Sequence, residues 1–271
     1  MSHVPRPPRW QEKLGSRLVH ALAPRIRQGG PTQPSEHFAP FEHFEIPRRN
    51  RLGHLAAIWY PATGEPRGAV LLAHPWIQVA QGYFLRQGRL EALRSRGFHA
   101  MTFDLGGLGA SPPPAGFYDQ DLTAALGALR QRAGDLPRYF WGVSAGGYWA
   151  HLVLRDSGIR KAMFEDVSPH LLEWSWRMVP RSRPAYLVFR YGLRQAYNYL
   201  DARKHAPHLG VAGAAYVGGE KDRGVPPQET RRLAELADGK CRIVPKAGHL
   251  ASIKLDRKAV LDLALETFQE N

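Results

Sequence analysis

Residues 138–146 read Arg138-Tyr139-Phe140-Trp141-Gly142-Val143-Ser144-Ala145-Gly146, and the reading of this stretch decides the fold class. The aromatic run Tyr139-Phe140-Trp141 predicts a strand, and a helical pattern resumes after Ser144 and continues through Arg155. Gly142 to Gly146 therefore matches G-x-S-x-G at a strand-to-helix turn. A serine there is pushed into a strained backbone conformation, and the flanking glycines make room for it. Its hydroxyl projects above the sheet, while the helix N-terminus presents N–H groups towards developing negative charge. Alone the pentapeptide specifies little, because glycine and serine form many turns. The flanking strand and helix give it meaning.

Outward from this point the chain alternates between short β-rich runs and helical patterns, which predicts an α/β fold with a mostly parallel central sheet flanked by helices. His43 to Ile46 and Leu55 to Tyr60 read as early strands that can pair as a hairpin. Ala69-Val70-Leu71-Leu72-Ala73 is the continuous apolar run that burial on both faces requires. A helix over 82–96, a strand over His99 to Phe103, a helix over Asp119 to Arg132 and a strand over Lys161 to Phe164 continue the rhythm. Residues 168–206 interrupt it with Trp174, Trp176, Tyr186, Phe189, Tyr191, Tyr197 and Tyr199 among Arg177, Arg181, Arg183, Arg190 and Arg194. It returns with Gly213 to Val217, a helix after Pro227, a strand over Cys241 to Val244 and a last helix over Arg257 to Phe268.

The N-terminal residues 1–40 stand apart from the main body at 41–271. Trp10, Leu14, Leu18, Leu22 and Ile26 recur every four residues among Lys13, Arg17, Arg25 and Arg27, the pattern of a basic amphipathic helix ended by Gly29-Gly30-Pro31. The first reading is a helix whose apolar stripe packs back on the body; the second is a helix that contacts a membrane surface or a partner.

Composition sets outer limits. The chain has 271 residues, 44% hydrophobic and 23% charged, with a formal net charge of +13. No apolar run suits a membrane span, and MSHVPRPPRW lacks the layout of a secretory signal. The single Cys241 excludes an intramolecular disulfide framework and a cysteine-rich zinc site. A cytoplasmic location follows as the expectation, with no metal and no cofactor. The charge suits nucleic acid, an anionic membrane surface or an acidic substrate such as a coenzyme A or carrier-protein thioester. An arginine-rich background explains it equally well, and no nucleic-acid recognition motif is present, so no nucleic-acid partner is expected. Oligomeric state is not encoded in any pattern.

Two further residues join Ser144. Asp222 lies in Gly218-Gly219-Glu220-Lys221-Asp222-Arg223-Gly224-Val225-Pro226, just after the strand ending at Val217. His249 lies in Lys246-Ala247-Gly248-His249, just past Arg242-Ile243-Val244. Loops at the carboxyl ends of parallel strands are where open α/β sheets build their sites. A loop aspartate alone usually caps a helix, and most of the 12 histidines must be bystanders. Three residues, each one loop past a strand and ordered Ser, acid, His, are much harder to obtain by accident. Glu165 and Asp166 also follow a strand and are rival acids. Asp222 is preferred for its place ahead of His249.

With these residues in view, most of 43–270 resembles the α/β-hydrolase family. Leu71-Leu72-Ala73-His74-Pro75-Trp76 is similar to the strand and loop that supply its second oxyanion-hole amide. Phe103-Asp104-Leu105-Gly106-Gly107-Leu108-Gly109-Ala110-Ser111 resembles its Asp-x-Arg-Gly-x-Gly-x-Ser loop. The resemblance implies a catalytic triad of Ser144, Asp222 and His249, an oxyanion hole from the N–H groups of Ala145 and Trp76, and a short, mostly helical cap at about 168–206. It implies a serine hydrolase acting on a small-molecule ester or thioester with a hydrophobic acyl group. An acyltransferase or an aminopeptidase would use the same triad, and a basic non-catalytic binding module is the alternative from another class. Two positions depart from the family: Pro75 replaces a glycine and has no N–H, and Gly106 replaces an arginine. Asp104 reads as structural. The cap aromatics suit either an acyl pocket or packing of the cap, and its arginines either an anionic handle or a solvated face.

Overall fold

A computed structural model describes residues 4–22, 40–48, 53–76, 81–114 and 116–269. Eight strands form its sheet: β1 (Glu42–Pro47), β2 (His54–Tyr60), β3 (Gly68–Ala73), β4 (Phe98–Phe103), β5 (Arg138–Val143), β6 (Lys161–Glu165), β7 (Gly213–Gly219) and β8 (Lys240–Val244). Their order is β1-β2-β4-β3-β5-β6-β7-β8. β2 runs antiparallel to β1 and β4, and every pairing from β4 to β8 is parallel. β1 and β2 make the hairpin expected from the two early runs.

The central strands show why a continuous apolar run becomes a strand here. All six residues of β3 are buried. Ala69, Leu71 and Ala73 point into one apolar layer, while Val70 and Leu72 point into the other. Phe140 on β5 joins the first layer, and Tyr139 and Trp141 join the second. The period-two alternation thus serves two helix layers rather than one layer and solvent. At the edge, β8 exposes Lys240, Cys241 and Arg242, and the two charges among them discourage edge-to-edge pairing.

Twelve α-helices accompany the sheet among the described residues: α1 (Arg9–Leu22), α2 (Gly82–Arg86), α3 (Arg89–Arg94), α4 (Asp119–Ala133), α5 (Ala145–His151), α6 (Leu171–Met178), α7 (Arg183–Leu187), α8 (Arg194–Tyr199), α9 (Ala202–His205), α10 (Pro227–Leu236), α11 (Ser252–Leu255) and α12 (Arg257–Phe268). The single helix expected over 82–96 is two short ones, α2 and α3, because Gly88 takes φ 68° and breaks the ladder. The helix after Ser144 ends at His151, not Arg155. Between β6 and β7 the interruption is mostly helical, α6 to α9, with a π turn over Val188–Gly192 between α7 and α8.

α1 packs on α8, and only in part through the expected stripe. Gln11 is buried; its amide nitrogen donates to Gln195 Oε1 at 3.3 Å and its Oε1 accepts the Ala196 N–H at 3.1 Å. A Cβ on Gly15 would press on Phe117 and Phe189, and Val19 is fully buried. Arg6 reaches Asp119 at the start of α4 at 2.9 Å, and Asp119 also accepts the Tyr199 hydroxyl at 2.6 Å. Of the expected stripe, Trp10 is 60% exposed and Leu14 43% exposed, while Leu18 packs partly buried against the core, so among its described side chains the expectation holds only at Leu18. Polar bonds, a close glycine contact, Leu18 and Val19 hold α1. Ile26 and Gly29-Gly30-Pro31, expected to continue and end it, lie outside the described residues.

The connections put a crevice at one place. From β3 the chain crosses to β4 on one side, then returns past β3 to β5 on the other. Adjacent crossovers in opposite directions open a gap above the carboxyl ends of β3 and β5, the switch point where such sheets bind ligands. Among the described residues, no helix is long and apolar enough to cross a membrane.

Candidate active site

Ser144 stands at that gap, on the first residue after β5. Its backbone has φ 47° and ψ −113°, outside the regions L-residues prefer. Two hydrogen bonds hold it there: its N–H donates to Glu165 O at 2.8 Å, and its carbonyl accepts the Tyr148 N–H at 2.8 Å. The glycines are needed for contact. A Cβ on Gly142 would strike the backbone of Gly147, and one on Gly146 would strike the carbonyl of Ala73. β5, β3 and α5 approach so closely only because those side chains are missing.

Asp222 and His249 come to the same point from the loops after β7 and β8. Ser144 Oγ is 3.0 Å from His249 Nε2, and His249 Nδ1 is 2.7 Å from Asp222 Oδ2. The other oxygen of Asp222 accepts the N–H groups of Gly224 at 2.8 Å and Val225 at 2.9 Å, which fixes the carboxylate plane. Asp222 is buried, and His249 is part-buried. Burial pulls the His249 pKa down, but the hydrogen bond and charge of Asp222, with the charge of Asp166 behind it, outweigh this and raise it. The imidazole can take a proton from Oγ at the face turned to serine.

The rival acids have other partners. Asp166, in the left-handed region at φ 50°, accepts the Leu250 N–H at 2.9 Å and so braces the residue after His249. Burial and the charges of Glu165 and Asp222 raise its pKa to about 7 against the opposing pull of His249, and its other oxygen has no hydrogen-bond partner among the described residues. Glu165 accepts from Arg89 Nη2 at 2.7 Å and Arg89 Nε at 3.1 Å, and from the Trp141 indole N–H at 2.5 Å. Arg89 is fully buried, and Gln87 also meets its guanidinium. This pair anchors the end of β6, whose last carbonyl holds Ser144. Nothing in the sequence marked Arg89, which sits in an ordinary helical pattern.

Pro75, Trp76, Ser144, Ala145, Tyr148, Ser168, Leu171, Trp174, His249 and Leu250 line a partly open cavity of about 120 Å³. Trp76 and Ala145 thus share a wall with the serine. His74 constrains Trp76. It is fully buried, and burial lowers its pKa to about 4, so the ring is neutral. Its Nε2 accepts the Leu105 N–H at 2.9 Å, leaving the proton on Nδ1 to bond Pro75 O at 2.6 Å. The Pro75 carbonyl and the Trp76 N–H belong to one planar peptide unit, so holding the first aims the second. Of the insertion's aromatics, only Trp174 faces the cavity, its ring 6.4 Å from that of His249. Tyr186 lies tilted against Trp176 and edge-on to Tyr197, Phe189 lies beneath α1, and Tyr199 bonds Asp119.

Asp104 is buried in the loop after β4. It accepts the Gln81 N–H at 2.9 Å and the Ala110 N–H at 2.8 Å, and Gly109 leaves no room for a Cβ against its carboxylate. At the departure in that loop, a Cβ on Gly106 would collide with the Arg48 guanidinium. Arg48 in turn pairs with Asp121 at 3.1 Å, and Asp121 accepts the Gly106 N–H at 2.8 Å. The positive charge missing from position 106 comes from position 48. Among the described residues, no group of three or more His, Cys, Asp or Glu side chains is arranged to hold a metal ion.

Solved structures share this architecture. The esterase Pf2001 of Pyrococcus furiosus superposes with a TM-score of 0.67 at 15% identity, over 89% of this chain and 97% of that one. The alpha/beta hydrolase GrgF of a Penicillium species gives 0.66 at 14% identity, over 84% and 98%.

The chain has the α/β-hydrolase fold.

The acylaminoacyl peptidase of Pyrococcus horikoshii gives a TM-score of 0.63 at 13% identity, over 87% of this chain but 44% of that one. No family model and no curated protein matches the sequence. The hydrolase fold therefore reaches this chain through its architecture, at identities where sequence similarity has faded.

Proposed function

We propose that this protein is a serine hydrolase that cleaves a carboxylic ester or thioester with a short hydrophobic acyl group. The observation that carries the reading is the unbroken relay from Ser144 Oγ through His249 to Asp222, at 3.0 Å and 2.7 Å, opening into the cavity at the switch point. His249 Nε2 takes the hydroxyl proton as Ser144 Oγ bonds to the substrate carbonyl carbon. Asp222 holds the Nδ1–H tautomer and stabilises the imidazolium. The N–H groups of Ala145 and Trp76 receive the oxyanion; one such donor typically contributes about 100- to 1000-fold in turnover. The imidazolium returns its proton to the departing alcohol or thiol, leaving an acyl-serine. Water, deprotonated by His249, then releases the carboxylic acid and restores the serine.

The cavity limits the acyl group. A closed apolar space of about 150 Å³ takes one benzene ring; about 120 Å³ lined by Trp76, Leu171 and Trp174, and open on one side, suits a chain of a few carbons. An acyltransferase would follow the same steps with another acceptor in place of water.

The test is covalent. A fluorophosphonate probe should label the wild-type protein stoichiometrically and leave Ser144→Ala unlabelled. Equal labelling of the variant removes Ser144 as the nucleophile.

A further inference from the structure

Because α1 is held by its Gln11–Gly15–Val19 face, its opposite face has been left to solvent. That face carries Trp10 and Leu14 with Arg9, Lys13 and Arg17 exposed among them. The segment just before α8 is built alike. Leu187, Val188 and Tyr191 are exposed in the segment whose Phe189 lies under Gly15, Tyr191 by 75%. Arg190, Tyr191, Arg194, Tyr197 and Asn198 line a groove of about 340 Å³ there. Arg194 precedes Gln195, the residue that Gln11 bonds.

The groove has no internal counter-charge among the described residues. Among the described residues, neither Arg190 nor Arg194 pairs with a carboxylate. Glu173, whose carboxylate meets the Tyr197 hydroxyl at 3.0 Å, is already taken by Arg203 at 2.9 Å. Arg190 instead lies over the Tyr197 ring, 5.1 Å from its centroid.

We infer that this face, formed by the outer side of α1 and residues 187–194, docks on the surface of an anionic lipid bilayer. Scattered exposed apolar residues need no explanation, but these are large and interleaved with cations. Trp and Tyr settle at the headgroup level with ring buried and polar edge wet, and flanking Lys and Arg meet lipid phosphates. Two adjacent arginines in a groove match the geometry of a phosphate ester better than lysines would. An acidic protein would satisfy the charge but leave Trp10, Leu14, Leu187, Val188 and Tyr191 in need of apolar cover, which a bilayer interface supplies without a matching pocket. The net charge of +13 supplies the longer-range attraction, which salt screens.

This inference is independent of the hydrolase reading, since docking involves no turnover and Ser144→Ala should bind vesicles like the wild type. Co-sedimentation would use vesicles of phosphatidylcholine alone and of phosphatidylcholine with phosphatidylglycerol in equal parts, at low and high salt. The wild type should bind the anionic vesicles at low salt and release at high salt, and should leave neutral vesicles free. Trp10→Ala/Leu14→Ala and Arg190→Gln/Arg194→Gln should each weaken binding about tenfold or more, with thermal unfolding showing that both stay folded. The inference is overturned if the wild type ignores anionic vesicles, or if it binds both kinds alike. It is overturned equally if both double variants bind as tightly as the wild type, or if the wild type is a dimer that Trp10→Ala/Leu14→Ala dissociates while vesicles are not bound. Tighter association with poly-glutamate than with anionic vesicles would assign the face to an acidic protein instead.

Discussion

His249 has two aspartates in its surroundings, and geometry gives them different work. Asp222 Oδ2 meets Nδ1 at 2.7 Å, whereas the bond from Asp166 goes to the Leu250 N–H. Asp222→Asn keeps the shape but exchanges an acceptor for an amide, which no longer enforces the Nδ1–H tautomer. Turnover of a soluble p-nitrophenyl ester should fall on the order of a thousandfold or more. Asp166→Asn keeps an oxygen for Leu250, and its turnover should stay within about tenfold of wild type. The reverse ranking would transfer the acid's role to Asp166. Sequence order alone favoured Asp222 by its position ahead of His249. What it left invisible is the Gly224 and Val225 bracing of Asp222, because those bonds depend on how the loop closes on itself.

At the scale of elements, the loop after β3 and helix α6 set the depth of the cavity through Trp76, Leu171 and Trp174. In wild type, acetate and butyrate esters should be cleaved with higher kcat/KM than octanoate or longer ones. Trp76→Ala keeps the backbone N–H and removes the ring, so the optimum should move to longer chains while fluorophosphonate labelling persists. An unchanged chain-length profile would show that the ring does not bound the acyl site. This part of the site was only half legible. Strand runs such as Ala69–Ala73 announced themselves because two-sided burial demands continuous apolar residues. The helix over 82–96 misled, since one glycine in a good periodic pattern is tolerated in some helices and breaks others; here Gly88 at φ 68° breaks it. α1 misled more. Periodicity reported an apolar stripe correctly but could not say which face tertiary bonds would select, and Gln11 and Gly15 outcompeted Trp10 and Leu14. The seven aromatics at 174–199 carried the same ambiguity, and only Trp174 among them lines the cavity.

For the whole molecule, buried ionisable groups make two opposed contributions to stability. Burial raises Asp104 and Asp119 to about 6 and Asp166 to about 7, from an ordinary 3.8. Between the unfolded and folded values the native state holds the extra proton, so these groups lower stability as pH rises. His74, His151 and His170 are pushed the other way, from 6.5 to about 4. For them the unfolded chain holds the extra proton between about 4 and 6.5, so they raise stability as pH rises. Over that shared window the two sets oppose one another, and the wild-type contribution from these six groups should be shallow. Replacing one member exposes the other set. In Asp166→Asn the falling contribution is lost, so stability relative to wild type should climb with pH between about 4 and 7. In His151→Gln the rising contribution is lost, and stability relative to wild type should decline from about 4 to 6.5, beneath a constant penalty for the lost bonds to Gly147 and Tyr216. Urea unfolding of the three proteins across that range reads both slopes. Parallel curves would mean that these side chains reach water before the chain unfolds, since only groups kept from solvent in the native state can carry displaced pKa values of this origin.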